Sequence, residues 1–302
     1  MPEMMPALMS LAQPVAAVCH DAGAANIVIA EIRAATEVKC LPVMSGPAAK
    51  LWQDNGFDAS ALVTLDNALQ TARSVLTGTG WASDIEHLAR QRASELGLYS
   101  AAVIDHWVNY PVRFERQGIS VLPDEMWVTD QYAFEIASVL FKDQQIKKLR
   151  NRYLEDQLKL IGPICETAVG RLLYVLEPLR FSWPGCTQLG EFVALDYFVS
   201  NLGKIAPLQS LQIRLRPHPS DEKGKYTAWL EKQAELDIRI DTSRSLPEAI
   251  DSAQWVVGCE TAAMVVALAA GRKVLSTLPP TAPRCRLPQN GILHLRDLQD
   301  HN

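Results

Sequence analysis

The stretch Leu211–Asp221, reading L-Q-I-R-L-R-P-H-P-S-D, sets the frame for the whole chain. Leu211, Ile213 and Leu215 alternate with Gln212 and Arg214, the period of a strand with one apolar face. The run stops at Arg216-Pro217-His218-Pro219, because each proline lacks a backbone donor and cannot extend a strand ladder. Ser220 and Asp221 then read as caps of a helix over Lys223–Glu235. His218 is therefore expected at the carboxyl end of a strand, which is where open α/β sheets bind ligands. The alternative is that His218 only caps the turn.

The same alternation of short apolar runs with helical windows recurs along the chain. Val15–Cys19 is a buried-strand candidate, followed by His20-Asp21-Ala22-Gly23 and a helix to about Ala35. Val38–Met44, Ala61–Leu65, Ser74 onward, Ala101–Ile104 and Asp124–Thr129 read as further strands. Gly46–Asn55, Trp81–Leu96 and Tyr132–Phe141 read as helices, with Ser83 as a cap of the second and Glu86 at capping-box spacing. Residues 1–13 read as a disordered lead-in. A second series follows: strand Leu172–Leu176, loop Glu177–Gly185, helix Gln188–Leu202, the Pro-His-Pro strand, strand Ile238–Ile240, helix Leu246–Ile250, strand Gln254–Val257, helix Ala262–Ala270, and a last strand Lys273–Ser276. This pattern predicts α/β architecture with parallel sheets and right-handed crossovers.

At 302 residues the chain has room for two domains. We place them at 1–160 and 161–302, two Rossmann-like halves facing each other across a cleft that would take a small ligand. The single glycine in the first strand–helix turn makes a poor dinucleotide fingerprint, so no NAD site is read from it. A formal charge of -5 argues against a nucleic-acid backbone as the main partner. No window reaches 18 apolar residues without a charge or a proline, so no transmembrane segment is expected, while peripheral membrane association stays open. The first basic residue is Arg33, so the amino terminus lacks the charged start of a secretory signal. The six cysteines have no CxxC spacing, which points to reduced thiols in a cytoplasmic protein.

Candidate chemistry lies at the expected strand ends. His20, Asp21, Gly23 and Asn26 follow the first strand, Thr77 and Thr79 a later one, and Asp105, His106 and Trp107 another, with Arg113 close behind. Asp21 and Asp105 are the carboxylates placed to act as a general base, Asp21 ahead because Asp105 is followed by two bulky rings. Neighbours on extended chain point apart, so neither His20–Asp21 nor Asp105–His106 is expected to form a dyad. A metal held by these four residues has no ligand spacing behind it, and no metal or other cofactor is expected. Arg113 could face an anionic acceptor or pair with Glu115. In the second half Gly258-Cys259-Glu260-Thr261 opens a helix, whose free amides and dipole favour a phosphate. Glu260 would repel that phosphate, and could instead accept from ribose hydroxyls or complement the helix terminus. Arg214 and Arg216 could meet phosphate, or the carboxylates of Asp237 and Asp241.

Three segments carry a resemblance: Arg216-Pro217-His218-Pro219, Val256-Val257-Gly258-Cys259-Glu260-Thr261, and Ala267–Val274. Over about residues 171–280 they resemble the carboxy-terminal domain of bacterial GT-B glycosyltransferases of surface-glycan synthesis. The nearest are the sialyltransferase-like, Kdo-transferase-like and glycerophosphotransferase-like enzymes. The resemblance implies that His218 and Thr261 contact the phosphate of a nucleotide-sugar donor (CMP-, CDP- or UDP-linked), and that the first domain receives a glycan or small-molecule acceptor. The family's acidic motif has no clean match, since Asp21-Ala22-Gly23 keeps one acid and the glycine only. The expectation is a metal-independent inverting glycosyltransferase. A nucleotide-sugar epimerase or hydrolase of the same fold, or a non-catalytic nucleotide- or sugar-binding protein, are the alternatives.

Overall fold

The computed structural model describes residues 5–165, 168, 170–205 and 211–299. The chain divides into two compact units, Met1–Tyr153 and Leu154–Asn302. In the first, β1 (Val15–Cys19), α1 (Ala22–Ala34), β2 (Cys40–Met44), α2 (Gly46–Asp54), α3 (Leu65–Leu69), β3 (Ser74–Thr77), α4 (Ile85–Glu95) and β4 (Tyr99–Val103) follow one another. After them come α5 (Tyr110–Arg113), a small ribbon of β5 (Glu115–Arg116) and β6 (Ile119–Ser120), then β7 (Glu125–Val128), α6 (Gln131–Leu140) and β8 (Gln145–Lys148); α7 (Arg152–Lys159) begins in the first unit and continues into the second. Six strands form one sheet in the order β2-β1-β3-β4-β7-β8, every pair parallel. Every residue of β1, β3 and β7 is buried, as expected for a sheet covered by helices on both faces.

The second unit holds β9 (Arg171–Val175), α8 (Gly190–Ser200), β10 (Gln212–Arg216), α9 (Thr227–Glu231), β11 (Ile238–Ile240), α10 (Leu246–Asp251), β12 (Trp255–Gly258), α11 (Ala262–Ala269), β13 (Lys273–Ser276) and β14 (Ile292–His294). Its sheet runs β11-β10-β9-β12-β13-β14, again all parallel. The two Rossmann-like sheets expected from the alternation are therefore present. In each sheet the strand order reverses once, beside β1 in the first unit and beside β9 in the second. Loops that leave adjacent strands there diverge to opposite faces and open a crevice.

Several expectations fail, each for a physical reason. Residues 5–13 are no loose lead-in: Ala7–Ser10 forms a 3-10 turn whose Leu8, with Leu11, is buried in the core. The buried Glu31 carboxylate fixes it, accepting the Ala7 N–H at 2.8 Å and Arg152 Nε at 3.1 Å. Ala61–Leu65 is not a strand. It follows a 3-10 turn at Ala59–Ala61 and gives one backbone bond to the edge strand, Val63 N–H to the Pro42 carbonyl. The expected helix over Lys223–Glu235 shrinks to Thr227–Glu231, because Asp221 is spent on the loop and caps no helix. β8 was not anticipated, since Q-I-K-K carries one apolar residue, and Lys273–Ser276 is not last, because β14 pairs beyond it. Among the described residues no helix is long and apolar enough to cross a membrane, and the six cysteines form no disulfide with one another.

Leu8→Ala should lower stability by about 2–5 kcal/mol, the usual cost of emptying a filled core position. Urea unfolding measures it, and an unchanged midpoint would mean that the turn adds nothing to the core.

Candidate functional site

In the first unit the crevice beside β1 is built by two loops held on a single buried carboxylate. Glu86 of α4 accepts the His20 N–H at 2.9 Å and the Gly80 N–H at 2.6 Å. It therefore ties the loop after β1 to the loop after β3. The expected capping box at Glu86 does not form: Asp84 is the N-cap, Ser83 Oγ accepts the Ile85 N–H, and Glu86 points into the core. Burial pushes its carboxyl above the ordinary range and Asp21 adds to this, while the two amides and Arg90 pull it back. Buried Arg90 in turn donates to Thr77 Oγ1 and the Gly78 carbonyl, both at 2.9 Å.

His20 and Asp21 form the dyad that the sequence argued against. His20 Nδ1 lies 2.7 Å from Asp21 Oδ1, and Asp21 Oδ2 accepts the Trp81 N–H at 3.1 Å. Neighbouring side chains converge because the chain is turning from β1 into α1 at this point. Asp21 is the N-cap by position, yet its side chain caps no amide of α1 and is turned to His20 and Trp81 instead. Asp105 is held by Arg113, Nη1 to Oδ1 at 2.8 Å, so Arg113 meets neither Glu115 nor open solvent. The Arg113 guanidinium also reaches the Val108 carbonyl at 3.2 Å and stacks 5.0 Å from the centre of the Trp81 ring.

Glycines make room for each of these groups. A Cβ at Gly23 would collide with Asp105 Oδ2, one at Gly80 with Asp21 Oδ2, one at Gly78 with Glu86 Oε1, and one at Gly46 with His20 Nε2. Gly46 also has a φ of +52°, which side-chain-bearing residues rarely adopt. The remaining candidates support the loops. Thr77 is bound by Arg90, and Thr79 Oγ1 donates to the Val103 carbonyl at 2.9 Å. Trp107 donates to Asp130 Oδ2 at 2.7 Å and packs on the cluster around Tyr110 and Phe114, with His106 against its ring. Asn26 is half-buried on α1. Cys19, buried at the end of β1 among carboxylates, has its thiol pushed well up by burial and is no nucleophile.

In the second unit the crevice lies between the ends of β9 and β12. Gly258 ends β12, and a Cβ there would come 2.9 Å from the Val175 carbonyl of β9. Thr261 caps α11, its Oγ1 accepting the Ala263 N–H at 3.4 Å. Glu260 does not face a ligand freely: its carboxylate takes the Arg286 N–H at 2.6 Å and the Arg286 guanidinium through Nε at 3.0 Å and Nη2 at 2.5 Å. Its own N–H donates to Glu177 Oε2 at 2.9 Å. Glu177, at the end of β9, was passed over as a loop residue; its only signal was being the first acid after an apolar run. Burial and the Glu260 charge push its carboxyl up to about 7, against the pull of the Glu260 amide and Arg286.

His218 sits in an exposed loop with a defined tautomer. Nδ1 accepts the Ser220 N–H at 3.2 Å and lies 2.8 Å from Ser220 Oγ, whose hydroxyl can donate to it as well; with Nδ1 the acceptor, Nε2 carries the proton of the neutral ring and is the donor. Partial desolvation, with Arg180 and Lys225 nearby, holds its pKa below the ordinary histidine value, against the pull of Asp221. Asp221 braces the loop by accepting the His218 N–H, Lys225 Nζ and Tyr226 OH at 3.0, 2.7 and 2.9 Å. Arg216 pairs with Asp241 and the Ser243 carbonyl, and Arg214 with Asp237, so the carboxylate alternative describes both arginines. Among the described residues no cluster of His, Cys, Asp and Glu could hold a metal ion.

No protein-family model matches the chain, and neither does any curated protein. Solved structures do. The S. aureus MnaA–UDP co-structure is 11% identical with a TM-score of 0.61, covering 87% of this chain and 78% of that one. The UDP-GlcNAc 2-epimerase from Neisseria meningitidis bound to UDP-GlcNAc is 10% identical with a TM-score of 0.59, covering 87% and 82%. A putative UDP-N-acetylglucosamine 2-epimerase from Listeria monocytogenes is 13% identical with a TM-score of 0.54, covering 86% and 78%. At this identity the likeness establishes the fold alone, GT-B-like with two Rossmann-like domains.

Glu177 gives a test with a definite sign. Unfolded, its carboxyl titrates near 4.5; folded, near 7. The folded state therefore keeps the proton through that window, and stability falls as pH rises across it. Glu177→Gln keeps an acceptor for the Glu260 N–H but cannot ionise. Its stability relative to the parent should rise between about pH 4.5 and 7, reaching about 1–3 kcal/mol above the window. Parallel unfolding curves from pH 5 to 8 would show that Glu177 titrates as an ordinary carboxyl.

Proposed function

We propose that the protein is an enzyme acting on a nucleotide-activated sugar, a metal-independent glycosyltransferase with the second unit holding the donor. The observation that carries this is the His218 loop, in which the Ser220 amide fixes the imidazole with its donor at Nε2. A neutral N–H donor of this kind suits a phosphate oxygen. Thr261 and the free amides at the start of α11 supply a second phosphate contact. β10 and β12 flank β9, so these two contacts leave strand ends about 10 Å apart, within reach of one nucleotide.

The carboxylates near α11 do not forbid an anion there. Glu260 is neutralised by Arg286, and Glu177 is about half protonated near pH 7. Charge growing on the leaving phosphate is met by the helix dipole and the imidazole donor. Within the first unit the paired acid–base groups are His20 with Asp21 and Asp105 with Arg113. The structures with this fold that hold UDP or UDP-GlcNAc support the nucleotide-sugar reading by analogy of fold.

A thermal-shift series across CMP, CDP, UDP and GDP should single out one nucleotide. His218→Ala should weaken its binding about tenfold, the worth of one hydrogen bond to a charged group, as read by calorimetry. Unchanged affinity would return His218 to a turn-capping role. Free sugar or an epimer formed from the matching donor with no acceptor present would make the enzyme a hydrolase or epimerase.

A further inference from the structure

We propose that the proton acceptor of the reaction is Nε2 of His20, that Asp21 is the residue positioning it, and that the acceptor is a sugar hydroxyl presented against Trp81. This rests on the nucleotide-sugar reading above and names the base and acceptor class within it.

The bonding around Asp21 separates the roles. Both carboxylate oxygens are engaged, Oδ1 with His20 Nδ1 and Oδ2 with the Trp81 N–H. An oxygen that already accepts an amide proton marks the group as the acceptor, so Nδ1–H donates to Oδ1. The other ring nitrogen, Nε2, then holds a free lone pair. Nε2 has no hydrogen-bond partner among the described residues and is not one of their sealed, unsatisfied atoms. The His20 side chain keeps 21% of its surface exposed. The Cβ that Gly46 lacks would stand equally near the two ring carbons flanking Nε2, at 2.9 Å each. It would lie over the ring and not along the lone pair, so Gly46 packs beneath the imidazole and leaves its edge free. The ring is fixed from the backbone too: His20 N–H donates to Glu86, and the His20 carbonyl accepts the Ala48 N–H at 3.0 Å.

Asp105 is already engaged. Its Oδ1 is paired with Arg113 Nη1 at 2.8 Å, on a side chain only 7% exposed. Its Oδ2 is pressed against Gly23. Trp81 supplies the acceptor surface. Its indole is 49% exposed, backed by the Arg113 guanidinium, while its amide is bonded to Asp21. An indole face left open beside a base suits the apolar C–H face of a pyranose.

In the step, the acceptor hydroxyl oxygen bonds to the anomeric carbon as the bond from that carbon to the phosphate oxygen breaks. The electron pair leaves with the nucleotide phosphate. The hydroxyl proton passes to Nε2, and the imidazolium later releases it to water. The Nδ1 proton stays in its bond to Asp21 throughout, and no oxidant or further reactant is needed.

Long-range proton–nitrogen NMR on the uniformly labelled protein at pH 8 reads the tautomer directly. We expect the Nδ1–H form for His20 and its loss in Asp21→Asn; an Nε2–H ring in the parent protein overturns the assignment. With the nucleotide sugar selected by thermal shift, His20→Gln should lower kcat about 10²–10⁴-fold with nucleotide affinity unchanged. Trp81→Ala should raise the acceptor KM and leave donor affinity alone. If His20→Gln, folded by its circular dichroism and melting curve, turns over normally while Asp105→Asn does not, the base is Asp105 and the proposal is wrong. If the parent protein binds and consumes no nucleotide sugar, the nucleotide-sugar reading fails first, and the tautomer alone then decides whether the dyad exists.

Discussion

Two parallel ladders, each with one reversal of strand order, are the constraint from which the rest follows. A parallel strand must be re-entered from the same end, so every connection that leaves a carboxyl end does so at one edge of the sheet. The loops after β1, β3 and β4 gather at one such edge, and those after β9, β10 and β12 at another. Where the order reverses, neighbouring loops turn to opposite faces, and the gap between them is lined by whatever those loops carry. In the first unit that is His20, Asp21 and Gly80; in the second it is Glu177, Glu260 and Thr261.

The two crevices solve opposite electrostatic problems. The first concentrates carboxylates, and each is matched to a defined set of donors: two backbone amides for Glu86, an imidazole and an amide for Asp21, a guanidinium for Asp105. A buried carboxylate without such partners would cost several kcal/mol, so the loops are held by the same bonds that keep the charges tolerable. The second crevice opens on a helix start, a feature that attracts anions, yet it also holds two glutamates. Arg286 neutralises one, and burial suppresses the charge of the other. Both devices leave the helix terminus able to meet an anion near neutral pH.

Much of this could be read along the chain. β1, β3, β10, β11 and β12 fall where apolar alternation places them, and the glycine-bearing turn after β1 and the Pro-His-Pro turn after β10 fall at strand ends as expected. Weakly patterned elements escaped. β8 carries one apolar residue in four, and β14 follows a long irregular stretch. The 3-10 turn around Leu8 reads as a loose terminus in the sequence because it is tied down at Ala7 by Glu31, 24 residues further along the chain. In the site, the candidate residues were visible by type and by their place after strands, but their partners were not. Proximity along the chain offers Arg113 either Glu115 or an anionic acceptor, whereas it reaches back across the site to Asp105.

By itself, then, the sequence determined what periodicity and local chemistry can encode: the alternation that makes two parallel sheets, the turns that end strands, and the residue types delivered to those turns. Tertiary structure alone decided which of those residues became pairs. His20 and Asp21 converge because the chain bends between strand and helix and because Glu86, 66 residues from His20, holds the His20 amide. Glu177 meets Glu260 because β9 and β12 are neighbours in the sheet, although 83 residues separate the two side groups in the chain. Hydrogen bonds and charge pairs act over a few ångströms in space, and spacing along the chain carries no record of which strands will lie side by side.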